Sequence, residues 1–226
     1  MAPYTTELAL RIEKLKLSVW SGFGTGNEYQ EWDFTIAYTF GTERLFFTPG
    51  YNFRYQPGVV AHEHSESANH DQGTDKAHED VEHGPDDHAD NHQDSGHSHG
   101  TYGNELFFVV GTKASPHVTP SLLFVCDLNN TPGSYLQMRI DAAIPVVRRI
   151  FLLEPYVLLG VNLGYNTTAF YGWNHFQFGL KASWEVSRLV SIYGGLSYSV
   201  AMTALHEIDQ GNKVWASAGL ILIAQG

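Results

Sequence analysis

Cysteine is nearly missing from this 226-residue chain. Cys126 stands alone, so no intrachain disulfide is possible, and its neighbours Leu122, Leu123, Phe124 and Val125 mark it as a packed, inert thiol. Long apolar runs are missing too. None approaches the roughly 18 residues of a membrane-crossing helix, which excludes a helical membrane bundle. The N-terminal MAPYTTELALRIEKLKL lacks the apolar core and small-residue cleavage site of a secretory signal. Either the protein is not exported or the chain starts after its signal, as a truncated or misassigned start would leave it. A phosphate-binding glycine loop, a basic patch and a nucleophile elbow are all missing, so neither nucleic-acid binding nor catalysis is expected.

Charge is scarce except in one place. Residues 62–99 hold nine histidines and eleven carboxylates against Lys76, and so supply -10 of the formal net charge of -11. Removing them leaves 25 charged residues in 188, about half the density usual for soluble proteins. The remainder is rich in aromatics (13% of the chain) and in glycine (22 residues), a composition that points to strands.

The dominant pattern is alternation with a period of two. EWDFTIAYTF puts Trp32, Phe34, Ile36, Tyr38 and Phe40 on one face, with Glu31, Asp33, Thr35, Ala37 and Thr39 on the other. HFQFGLKASWEV and VSIYGGLSYSVAM repeat it from His175 and Val190. Extended along the chain, this predicts eleven strands, near 5–12, 15–22, 30–40, 44–56, 104–113, 120–128, 134–145, 151–165, 174–187, 190–202 and 213–224, and no helix. ELFFVVG and SLLFVCDL are apolar throughout, so their faces cannot be separated.

Short connections near Glu13-Lys14, GTER, ASPHVTP, VVRRI and SRLV take turns with longer ones near 22–29, 57–103, 129–133, 166–173 and 203–212. In an up-and-down meander this places all short turns at one rim and all long loops at the other, as in outer-membrane barrels. The second face supports that reading. It carries Ser, Thr, Gly, Asn and Gln with scattered charges, where a water-facing exterior would carry Lys and Glu. The expected fold is therefore all-β: one up-and-down antiparallel transmembrane β-barrel over residues 1–226, with 58–103 as a disordered external insertion rich in His, Asp and Glu.

LKLSVWSGFG with EWDFTIAYTF, TYGNELFFVVGTKASPHVTPSLLFVCDLNN, LEPYVLLGVNLGYN and HFQFGLKASWEVSRLVSIYGGLSYSV resemble the TorF-type porin family of small bacterial outer-membrane barrels. The resemblance covers nearly all of the chain except 58–100. It implies a signal peptide and one further strand before TELALRIE, hence twelve strands where eleven are visible, because an odd count is expected to leave an unpaired edge in lipid. It also implies an aromatic last residue, where this chain reads ILIAQG.

The registers place Glu31, Asp33, Arg54, Arg139, Asp141, Lys181 and Glu185 in the lumen, as a mixed-charge pore lining or as salt bridges that close it. Within the insertion, His62, His64, His83, His88, His97 and His99 are the best candidates for binding Zn(II), Ni(II), Cu(II) or Co(II). No spacing among them fixes one coordination geometry, so loose binding is expected and no cofactor is required. His117 falls in a short turn and His206 in a long loop, at opposite rims. The partners implied are outer-membrane lipid and small solutes or ions. Two other readings stay open: a non-conducting barrel whose His-rich loop binds metals, and a soluble barrel carrier.

Overall fold

A computed structural model of the chain describes residues 3–24, 30–42, 44–57, 101–129, 133–147, 150–165, 171–206 and 211–224. Within them the strands are β1 (Tyr4–Ile12), β2 (Leu15–Phe23), β3 (Gln30–Tyr38), β4 (Phe40–Gly41), β5 (Leu45–Gln56), β6 (Thr101–Thr112) and β7 (Val118–Asp127). They continue with β8 (Ser134–Ala142), β9 (Ile144–Val147), β10 (Phe151–Leu163), β11 (Tyr171–Glu185), β12 (Val190–Ala201) and β13 (Lys213–Ala224). β4 prolongs β3 beyond Thr39 and β9 prolongs β8 beyond Ala143, so the thirteen segments build eleven staves.

Successive staves pair antiparallel all the way round, and β13 then meets β1 in a parallel ladder from Tyr4 opposite Ala216 to Ile12 opposite Ala224. The result is a closed eleven-stranded β-barrel. This corrects the expectation of an open edge. In an odd meander the first and last strands run the same way, and a parallel ladder between them pairs the backbone groups that an edge would leave bare.

The elements also differ in detail, β11 for instance beginning at Tyr171 where 174 was expected. β6 begins at Thr101, where 104 was expected, because Thr101, Tyr102 and Gly103 continue the ladder opposite Gln56, Tyr55 and Arg54. One turn of helix, α1 (Thr203–His206), follows β12, with Leu205 and His206 both donating their N–H groups to the Met202 carbonyl at 3.0 Å. A single turn is too short to leave a periodic signal. Among the described residues no helix is long and apolar enough to cross a membrane, which has no bearing on crossing by strands.

Each ladder keeps one face out. Leu8 pairs with Val19, Val19 with Phe34 and Phe34 with Phe53, and this face is exposed: Leu8 is 53% accessible, Phe34 46% and Leu196 64%. Aromatics stand at both rims of this face as well as at mid-strand positions such as Phe34 and Phe178. Tyr4, Phe23, Trp32, Tyr55 and Tyr102 stand where the longer connections are, with Tyr4 stacked on Phe23 at 5.0 Å and Tyr55 on Tyr102 at 5.0 Å. At the other rim stand Tyr38, Phe40, Phe47 and Trp184, with the rings of Tyr38 and Phe40 4.7 Å apart.

The opposite face turns inward, and it is more apolar than the expected Ser, Thr, Gly, Asn and Gln with scattered charges. Phe46, Phe107, Val109, Leu123, Val125 and Leu158 line one sector of it. The two segments with unreadable faces, β6 and β7, carry apolar residues on both sides because they build that sector. Inside, large rings lie over glycines of the adjacent strand: Phe107 over Gly50, Phe46 over Gly111, Tyr156 over Gly179 and Tyr193 over Gly219. These pairings fill the interior while letting the sheet curve.

Candidate functional site

The inner surface of the barrel is where charge accumulates. At the short-turn end, here the base, the hairpins are tight: Glu13 turns β1 into β2 with φ 50°, and Ser187 and Val190 exchange backbone hydrogen bonds of 3.1 and 3.4 Å. At the other end, the mouth, β5 gives way to the residues leading to β6.

All seven residues assigned to the lumen from the sequence stand on the inner face. Glu31 and Asp33 (β3) face Gly22 and Trp20 of β2, and Asp33 is opposite Arg54 (β5). Arg139 and Asp141 (β8) face Ser121 and Thr119 of β7. Lys181 (β11) is opposite Glu154, and Glu185 stands at the exposed end of the same strand. The structure divides them between two clusters, one at each end.

At the mouth the cluster is buried. Arg54 and Glu105 form a salt bridge with side chains only 9% and 7% exposed, and Asp127 approaches the same guanidinium to 3.9 Å. Glu105 also accepts a hydrogen bond from Asn52 Nδ2 at 3.2 Å, and Asn52 Oδ1 accepts one from Thr35 at 2.9 Å. Gln56 Nε2 donates to Glu31 at 2.6 Å. Tyr165, two residues past the end of β10, donates its hydroxyl to Glu105 and lays its ring 5.4 Å from the Arg54 guanidinium. Burial and the Glu105 charge push the Tyr165 phenol up, so it remains a donor.

The base is wetter and more evenly charged. Arg139 holds Asp141 with three N–H contacts of 2.6 to 2.9 Å and stacks 4.0 Å from the Tyr156 ring, yet both side chains are about a third exposed. Lys181 meets Glu154 at 3.0 Å, and Lys16 meets Glu7 at 2.6 Å, with Tyr193 donating to the other Glu7 oxygen at 2.6 Å. Partners of this kind are worth less in water than the same groups at the mouth.

Glu7, Lys16, Glu105, Asp127, Glu154 and Tyr165 were missed in the sequence. Glu7, Lys16 and Glu154 were within reach, since they sit at inner positions of alternating strands. Glu105 and Asp127 cap the two doubly apolar strands, where alternation gives no face. Tyr165 lies beyond a strand end, where alternation has stopped.

The histidines His62, His64, His83, His88, His97 and His99 lie outside the described residues. Among the described residues no group of three or more His, Cys, Asp or Glu is arranged to hold a metal ion. His117 stands in a base turn with its ring Nδ1 3.0 Å from the Ala143 carbonyl, and His206 ends α1 at the mouth. No protein-family model matches the chain, and neither does any curated protein.

Proposed function

We propose that this protein is a porin-like barrel of the bacterial outer membrane that lets small hydrophilic solutes or ions cross. The observation that carries the reading is its inverted distribution of polarity. Among the described residues the buried set includes Glu31, Asn52, Arg54, Glu105, Asp127 and Asn162, while its apolar members are mostly alanines. Most of the large apolar side chains are on the outside. A water-soluble protein buries those side chains and exposes the charges. A lipid-bathed barrel reverses this, with an apolar band, aromatic residues toward each rim and a polar interior.

Other features agree. Two grooves on the outer face are almost wholly apolar, one edged by Leu8, Leu10, Val19, Phe34 and Ile36, the other by Leu122, Met138, Ile140, Val157 and Phe176. The staves are long enough for a tilted crossing, which takes about 9–11 residues. The similarity to the TorF-type porins points the same way, and residues 62–99 add a concentrated negative charge between β5 and β6 that draws cations toward the mouth.

Purified protein in a planar lipid bilayer should give discrete conductance steps. Silence across preparations of folded, full-length protein would remove the channel reading. The buried ion pair at the mouth favours a second reading, a non-conducting barrel whose histidine-rich segment collects divalent metals. Calorimetric titration with Zn(II) or Ni(II), with and without residues 62–99, separates the two when set beside the conductance record. Partitioning into buffer without detergent would favour a soluble barrel over both.

A further inference from the structure

The residues just past β10 are built to project inward. Asn162, on the inner face and 5% exposed, accepts a hydrogen bond from the Tyr165 N–H at 2.7 Å, closing a tight turn. Gly164 makes the turn with φ 83°, a left-handed conformation that suits glycine, and bridges in parallel to Ser134. Gly133 lies so close to the Gly164 carbonyl that a side chain there would collide with backbone. Gly133 is itself anchored, its carbonyl accepting from the Asp127 N–H at 3.1 Å.

The turn delivers Tyr165 past β8 and β7 to Glu105 on β6, because the strand order is β6, β7, β8, β10. On the way its ring meets Tyr135 at 6.0 Å and the Arg54 guanidinium at 5.4 Å. One side chain at the end of β10 thus touches β8, β6 and the β5 arginine across one side of the mouth.

We infer that Tyr165 is a fixed strut whose ring narrows the mouth and so sets the conductance of the pore, while its hydroxyl on Glu105 tunes the charge there. The inference rests on the channel reading. It differs from a purely structural role in what it predicts for the two simplest variants. Tyr165→Ala removes the ring and should raise single-channel conductance about two-fold or more. Tyr165→Phe keeps the ring over Arg54 and loses only the hydroxyl, so conductance should stay near the wild-type value. Its reversal potential in a KCl gradient should shift toward potassium, because Glu105 loses a donor.

The experiment records wild type, Tyr165→Ala and Tyr165→Phe in planar bilayers, after circular dichroism has shown equal strand content in all three. Conducting wild type with an unchanged alanine variant overturns the strut and leaves the channel intact. Equal increases in both variants also overturn it, since the ring would then be irrelevant. A wild type that stays silent beside a conducting alanine variant overturns it, because a strut that only narrows the mouth leaves an open pore. Silence in all three removes the channel reading, and the strut with it.

Discussion

The two ends of the lumen use the same residue types to opposite effect. At the base, Arg11, Lys16, Arg139 and Lys181 on the inner face match Glu7, Asp141, Glu154 and Glu185, and their pairs are partly open to water. At the mouth, Glu31, Asp33, Glu105 and Asp127 outnumber Arg54 and Lys213 among the described residues, and the central pair is buried. The difference teaches that a salt bridge is not one kind of object. A wet pair is screened and exchangeable, whereas a buried one fixes its partners because neither charge can be left alone.

The sharpest way to break the comparison is to remove one partner at the mouth. Glu105→Ala takes the nearest carboxylate from the buried Arg54 guanidinium, leaving Asp127 at 3.9 Å, and should cost up to about 3–5 kcal/mol in urea unfolding of detergent-folded protein. A loss under 1 kcal/mol would mean that water reaches the pair. Gly133→Ala comes next, since its added carbon meets the Gly164 backbone with no flexible side chain to yield. A loss of about 1–3 kcal/mol in the same assay is expected. Arg139→Ala at the base is the smallest, at about 0–1 kcal/mol, and the difference from wild type should shrink further in high salt. An effect at Arg139 equal to that at Glu105 would erase the distinction between the two ends.

How much of this was legible in the sequence varies with the residue. Glu31, Asp33, Arg54, Lys181 and Glu185 could be placed on the inner face because each lies in a strand whose neighbours alternate cleanly, and a period of two has only two solutions. Phe107 and Leu123 could not, because their strands are apolar on both sides and alternation then carries no information. Tyr165 was out of reach for another reason. Its partner Glu105 is sixty residues away, and the turn that joins them depends on Asn162, Gly164 and Gly133 acting together.

The sequence by itself determined the strands, the two faces of those that alternate cleanly, the alternation of short and long connections, and the concentration of acid and histidine in one segment. These are local properties, set by side-chain period and turn chemistry. Only the tertiary structure decided how the barrel closes, since an odd meander can stay open or pair its ends in parallel and each strand looks the same either way. It alone decided, too, which luminal charges meet, and that the mouth would be buried and crossed by a tyrosine while the base stayed wet. Those outcomes depend on the distance between staves that are neighbours in the ring and far apart in the chain.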